Sequence, residues 1–106
     1  MSQRVLVTNY KYNVSFEEYQ KLIAQLAPEF AAVPGCIWKI WLIDKEKQEA
    51  GGVYLFEDDA SLQDFKVSSL VGVVVSHPAL SNFTLKERDI MEEISLITRA
   101  PIMQTA

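Results

Sequence analysis

Residues Ile37 to Ile43 hold three isoleucines and two tryptophans in seven positions, interrupted only by Lys39. A run this short, rich in β-branched and aromatic residues, reads as a strand. Alternation puts Ile37, Trp41 and Ile43 on one face and Trp38, Ile40 and Leu42 on the other, so both faces are apolar. A sheet containing such a strand must be covered twice. Helices of the same chain can supply one cover. The other falls to a second copy of the sheet, brought by an isologous two-fold contact, or to a loop or C-terminal arm folded over that face.

The remaining elements follow from the same kind of reading. Arg4 to Tyr10 alternates as a first strand. Ser15 with Glu18 forms a capping box, and Val14 and Tyr19 are placed for a hydrophobic staple, so a helix starts there. Its apolar stripe is Tyr19, Leu22, Ile23, Leu26 and Phe30, with Pro28 expected to kink it or end it. Gly51 to Phe56 returns as a third strand across the polar turn Asp44 to Glu49. Asp58 or Asp59 can cap a second helix carrying Leu62, Phe65 and Leu70, whose end is ambiguous because Val73 to Val75 is β-branched. Phe83 to Asp89 is the last strand, followed by an arm with Ile94, Ile97 and Ile102, too apolar for a free tail. Strand, helix, strand, strand, helix, strand is the ferredoxin-like α+β order, with a four-stranded antiparallel sheet.

Composition narrows the classes of function. At 106 residues the chain fits one domain, residues 1–106, with the arm over 91–106. A net charge of −4 with interspersed signs offers no basic stripe for a nucleic-acid backbone. No apolar run approaches the roughly 20 residues that span a bilayer, and no leader pattern opens the chain, so no membrane partner and a cytoplasmic location are expected. Cys36 is the single cysteine and His77 the single histidine; with scattered acids they give no metal site of believable ligand count. No glycine pattern for a nucleotide follows a strand.

Pro34-Gly35-Cys36-Ile37-Trp38-Lys39-Ile40-Trp41, then Glu49-Ala50-Gly51-Gly52-Val53-Tyr54-Leu55-Phe56, and the ending Glu93 to Ile102 together resemble the YdhR-like monooxygenase family. The resemblance implies a dimeric α+β barrel, a superfamily that includes cofactor-free quinone-forming monooxygenases, haem-degrading enzymes and small isomerases. It implies a homodimer acting on a small aromatic, phenol- or quinol-like compound by cofactor-independent monooxygenation, the substrate itself activating oxygen. The rival reading is a small-molecule-binding or stress-response module without turnover, and a third is haem binding. The family's helix two carries a His-Thr pair where this chain reads Ser68-Ser69, so a role of that histidine does not transfer.

In such folds the ligand cavity lies between sheet and helices, and the resemblance singles out residues for its lining. Asn9 is a disfavoured type in a strand, and relatives use an asparagine of this strand to position substrate or oxygen; the plain alternative is a strand-end residue bonded to local backbone. Trp38 and Trp41 point to opposite faces, one to the cavity and one to the subunit seam, unless both are only packing residues. Tyr54 offers a hydroxyl to a ligand carbonyl, or is a strand residue with a wet tip. His77 lies where haem-degrading relatives place an axial ligand, and it is the obvious acid or base; a solvated loop histidine is the plain reading. Phe65 of helix two is an expected substrate-binding wall. Arg99 of the arm could neutralise an anionic substrate, or is a surface charge of no energetic weight.

Overall fold

The computed structural model describes residues 2–103, so the arm's residues 104–106 lie outside the described part. The elements are β1 (Arg4–Tyr12), α1 (Phe16–Ala31), β2 (Cys36–Asp44), β3 (Glu49–Phe56), α2 (Asp59–Lys66), α3 (Ser69–Val75), β4 (Leu80–Asp89) and α4 (Glu92–Ile97). The four strands form one antiparallel sheet in the order β2-β3-β1-β4, the ferredoxin-like arrangement.

Register decides which residues meet the helices. Leu6 and Thr8 of β1 lie opposite Tyr54 and Gly52 of β3, which in turn lie opposite Lys39 and Trp41 of β2. These residues share the helix-covered face. Leu6, Tyr10, Tyr54 and Phe56 are buried there with Phe30 of α1 and Leu62 and Phe65 of α2. Val5, Val7 and Asn9, together with Trp38, Ile40 and Leu42, occupy the other face. A bulge between Cys36 and Trp38 takes up Ile37, so Cys36 reaches the helix-side core while Trp38 points away.

Two helices differ from their expected extents. Ser15 caps α1 through its hydroxyl, accepting from the Glu18 backbone N–H. Pro28 does not end the helix, which runs on to Ala31, because the next turn seats Phe30 in the core. The second helix is two pieces: Asp58 caps α2 and Ser68 caps α3. Val73 to Val75 are therefore helical, not a short strand.

The arm does part of the covering. Trp38 Nε1–H donates to the Pro101 carbonyl at 2.8 Å, and the buried Gln3 amide exchanges two hydrogen bonds with the Met103 backbone. Ile102 docks beside Val5 and Trp38. Ile94 and Ile97, expected to dock on the domain or to reach across to a partner, stay exposed in the single chain. Beyond the arm, Ile40 and Leu42 remain 50% and 43% exposed, so most of the apolar second face is still open.

Candidate functional site

Between the sheet and α1, α2 and α3 lies a narrow, almost wholly apolar cavity of about 40 Å³, lined by Thr8, Tyr10, Phe30, Tyr54, Phe65, Val71, Val74, Val75, Phe83 and Leu85. A space this size admits a water or two but no aromatic ring. Phe65 separates it from a wider cleft of about 530 Å³ between α1 and the α2–α3 junction. Phe30 separates it from a second hollow of about 220 Å³ beside β2, which reaches Cys36, Lys39 and Trp41. Phe65 is thus a wall of both cavity and cleft, and Phe30 a wall of both cavity and hollow.

The polar groups of the cavity are phenols and a hydroxyl. Tyr10 and Tyr19 share a hydroxyl–hydroxyl hydrogen bond of 2.6 Å, and Tyr19 stacks on Tyr12 at 4.5 Å between centroids. Burial pushes the Tyr10 phenol up, partly opposed by that bond, and burial pushes Tyr19 far up, reinforced by the bond to Tyr10. The Tyr54 phenol is also pushed well up by burial, with Thr8 slightly opposing. All three therefore stay protonated and can donate hydrogen bonds but do not act as bases near neutrality.

Lys39 is the charged group of this side. Its Nζ lies 3.3 Å from the Trp41 ring centroid, 3.8 Å from that of Phe30 and 4.5 Å from that of Tyr54. Phe30 meets Trp41 edge-on at 5.2 Å. Burial pushes the amine down from its ordinary 10.5 to about 7, while the ring faces favour the cation. Cys36, next to it, donates its S–H weakly to the Trp38 carbonyl, and burial holds the thiol up. The double glycine explains itself here: a Cβ on Gly52 would sit 2.8 Å from Lys39 Cε, and one on Gly51 would sit 2.0 Å from the Thr8 carbonyl oxygen. Gly51 admits β1, and Gly52 admits the lysine stem.

The expected site residues divide between the two faces. Tyr54 and Phe65 line the cavity, and Trp41 stands on the same face beside Lys39. Asn9 does not line it. Its register opposite Gly51 and Thr84 turns it to the open face, where it is exposed. Trp38 likewise faces away and holds the arm. His77 is outside the cavity lining, and its Nδ1 accepts the Ala79 backbone N–H at 3.1 Å, shaping the turn into β4. Arg99 takes a left-handed φ of 65° in the turn after α4, away from the cavity. The sequence reading missed Thr8, Tyr10, Phe30 and Lys39. A lone lysine between two tryptophans, on the strand that pairs with the double glycine, was the available signal. No group of three or more His, Cys, Asp or Glu side chains poised for a metal occurs among the described residues.

A family model described as "Putative mono-oxygenase ydhR" matches residues 5–101. No curated protein matches the chain. Among solved structures, the chain resembles SnoaB, a cofactor-independent oxygenase from Streptomyces nogalater: 14% identity and a TM-score of 0.67, covering 87% of this chain and 99% of that one. It also resembles the heme-degrader MhuD from Mycobacterium tuberculosis, with two hemes in its active site, at 18% identity and a TM-score of 0.65, covering 83% and 95%. NE2512 of Nitrosomonas europaea, of unknown function, matches at 15% identity and a TM-score of 0.71, covering 86% and 91%. At such identities the likeness establishes the fold.

Proposed function

We propose, from the premise that this chain belongs to the ydhR mono-oxygenase family, that it oxygenates a small phenol- or quinol-like aromatic compound without a cofactor. The observation that carries the reading is the cavity lined by Phe30, Phe65, Tyr54 and the α3 valines, with protonated phenols as its polar groups. Aromatic walls with a few convergent donors suit a flat, electron-rich ring. Tyr54 and Thr8 offer hydroxyls to polar substituents of the ring, while Phe30 and Phe65 hold its faces. An ionised hydroxyarene gives dioxygen all the electrons it takes up; one oxygen atom enters the ring to form the quinone and the other leaves as water. The protein's contribution is placement and exclusion of solvent.

Admission of a ring requires Phe65 to rotate or α3 to lift, since about 40 Å³ is too small for one. The test is oxygen uptake with a panel of hydroquinones and hydroxynaphthalenes. We expect uptake matched by quinone formation, reduced at least tenfold in Phe65→Trp, which fills the space. A ligand that binds with no oxygen uptake would instead make this a binding module.

Assembly belongs to the same reading. The open sheet face, with Ile40, Leu42, Val5 and Val7, suits a homodimer packed sheet to sheet. Asn9 and Trp38 then serve the seam between subunits.

A further inference from the structure

Among the described residues Lys39 has no anionic partner. The described ion pairs use Arg4 with Asp59, Glu87 and Asp89, and Lys66 with Glu87. An amine set among Trp41, Phe30 and Tyr54 has ring faces on several sides and no described carboxylate or carbonyl acceptor. Its N–H groups are strong donors by nature. A polar group held in a low-dielectric place without acceptors is costly to keep. The second hollow is lined by it, and Phe30 is a wall of both that hollow and the inner cavity.

We propose that Lys39 Nζ is the docking point for the acidic oxygen of the ligand, which is therefore a weakly acidic phenol or enol bound as its anion. This rests on the aromatic-ligand reading above and names the ionisable class within it. In the binding step the phenol O–H bond breaks; its proton forms an N–H bond on the amine where that is neutral, and passes to water in more acidic solution where the amine already carries one, so an ammonium–phenolate pair is left in either case. The geometry suits the step. The stem lies on the central part of a strand, over the gap that Gly52 leaves, and the rings that flank Nζ also offer faces to an aromatic ligand. The amine's lowered affinity for protons, a result of burial, leaves a neutral fraction near pH 7 to accept one. The other titratable groups facing it are Cys36 on β2 and Tyr54 on β3, both held neutral by burial. From α1 it meets Phe30, and the hollow's α1 wall is Ala27 and Ala31, so no charge from that helix competes for the ligand.

Para-nitrophenol tests this without any need for oxygen chemistry, because only its anion is yellow. In slightly acidic solution, where the free compound is colourless, the wild-type protein should turn it yellow on binding and lower its apparent pKa by about one unit, a tenfold change in ionisation. Lys39→Met keeps the length of the stem and should bind the compound colourless; Lys39→Gln replaces it if the methionine variant does not fold. Para-nitroanisole, which has no proton to give, should bind both proteins equally. A yellow complex in the Lys39 variants, a colourless wild-type complex, or no binding of either compound overturns the proposal. Yellow binding without oxygen uptake would remove the oxygenase reading and leave the docking site standing, whereas oxygen uptake with unchanged colour would do the reverse.

Discussion

Gly51, Gly52 and Lys39 depend on one another at atomic distances. A methyl at Gly51 meets backbone at 2.0 Å, which no rotamer can relieve, so Gly51→Ala should destabilise by about 3 kcal/mol or more, read from the urea midpoint. Gly52→Ala chiefly displaces a flexible stem and should cost less. Lys39 also predicts a pH dependence. Its folded-state pKa is lowered to about 7 against 10.5. Below pH 7 both states carry the proton and the cost of burial is complete. Between those values the unfolded chain binds the proton that the folded chain has released, so stability rises with pH. Above the ordinary tyrosine value of 10.0 the raised phenols Tyr10 and Tyr54 reverse the trend. The melting temperature of wild type should climb from pH 7 towards that limit, and that of Lys39→Met should stay flat. The sequence made Tyr54 and Phe65 legible as wall residues, because large aromatics seek the core. It misled at Asn9, since parity alone does not say which face meets the helices; the burial of Leu6 and Tyr10 settles that, and Asn9 has the other parity.

At the level of elements, α2 and α3 are held very differently. α2 is tied through Lys66 and Gln63 to Glu87 and through Asp59 to Arg4. α3 has a serine cap but no buried residue, and it lays valines on the cavity. Nothing lies within 4 Å of a Cβ added at Gly72. Gly72→Ala should therefore stabilise α3 by about 0.5–1 kcal/mol through helix propensity alone, seen as slower amide exchange in residues 69–75. If α3 is the moving roof, the same change slows ligand entry. The order of strands and helices was legible because alternation and caps announce each start. The split of the second helix was not, because Val67, the residue at the break, is neither glycine nor proline and is 85% exposed. Pro28 left a kink or a stop open, and it is not a stop: losing one backbone hydrogen bond weighs less than seating Phe30.

For the whole molecule, the two-sided apolar strand leaves an uncovered face that the arm only partly closes. Leu42→Asp should convert a two-fold dimer into a monomer in sedimentation at micromolar concentration, with the fold retained; a wild-type monomer under those conditions would end the dimer proposal. Truncation after Asp89 removes the partner of Trp38 and of Gln3 and should lower the melting temperature.

Trp38 and Trp41, three positions apart on one strand, look out on separate events. One indole meets the arm and the open face; the other has the Lys39 amine, whose proton burial loosens, 3.3 Å from its ring centroid. The chain thus carries two built-in optical reporters. On the proposed function, emission from a Trp38→Phe protein should follow the state of the hollow beside Lys39, and emission from a Trp41→Phe protein should follow subunit association, so occupancy and assembly would be timed separately in one chain without an added dye.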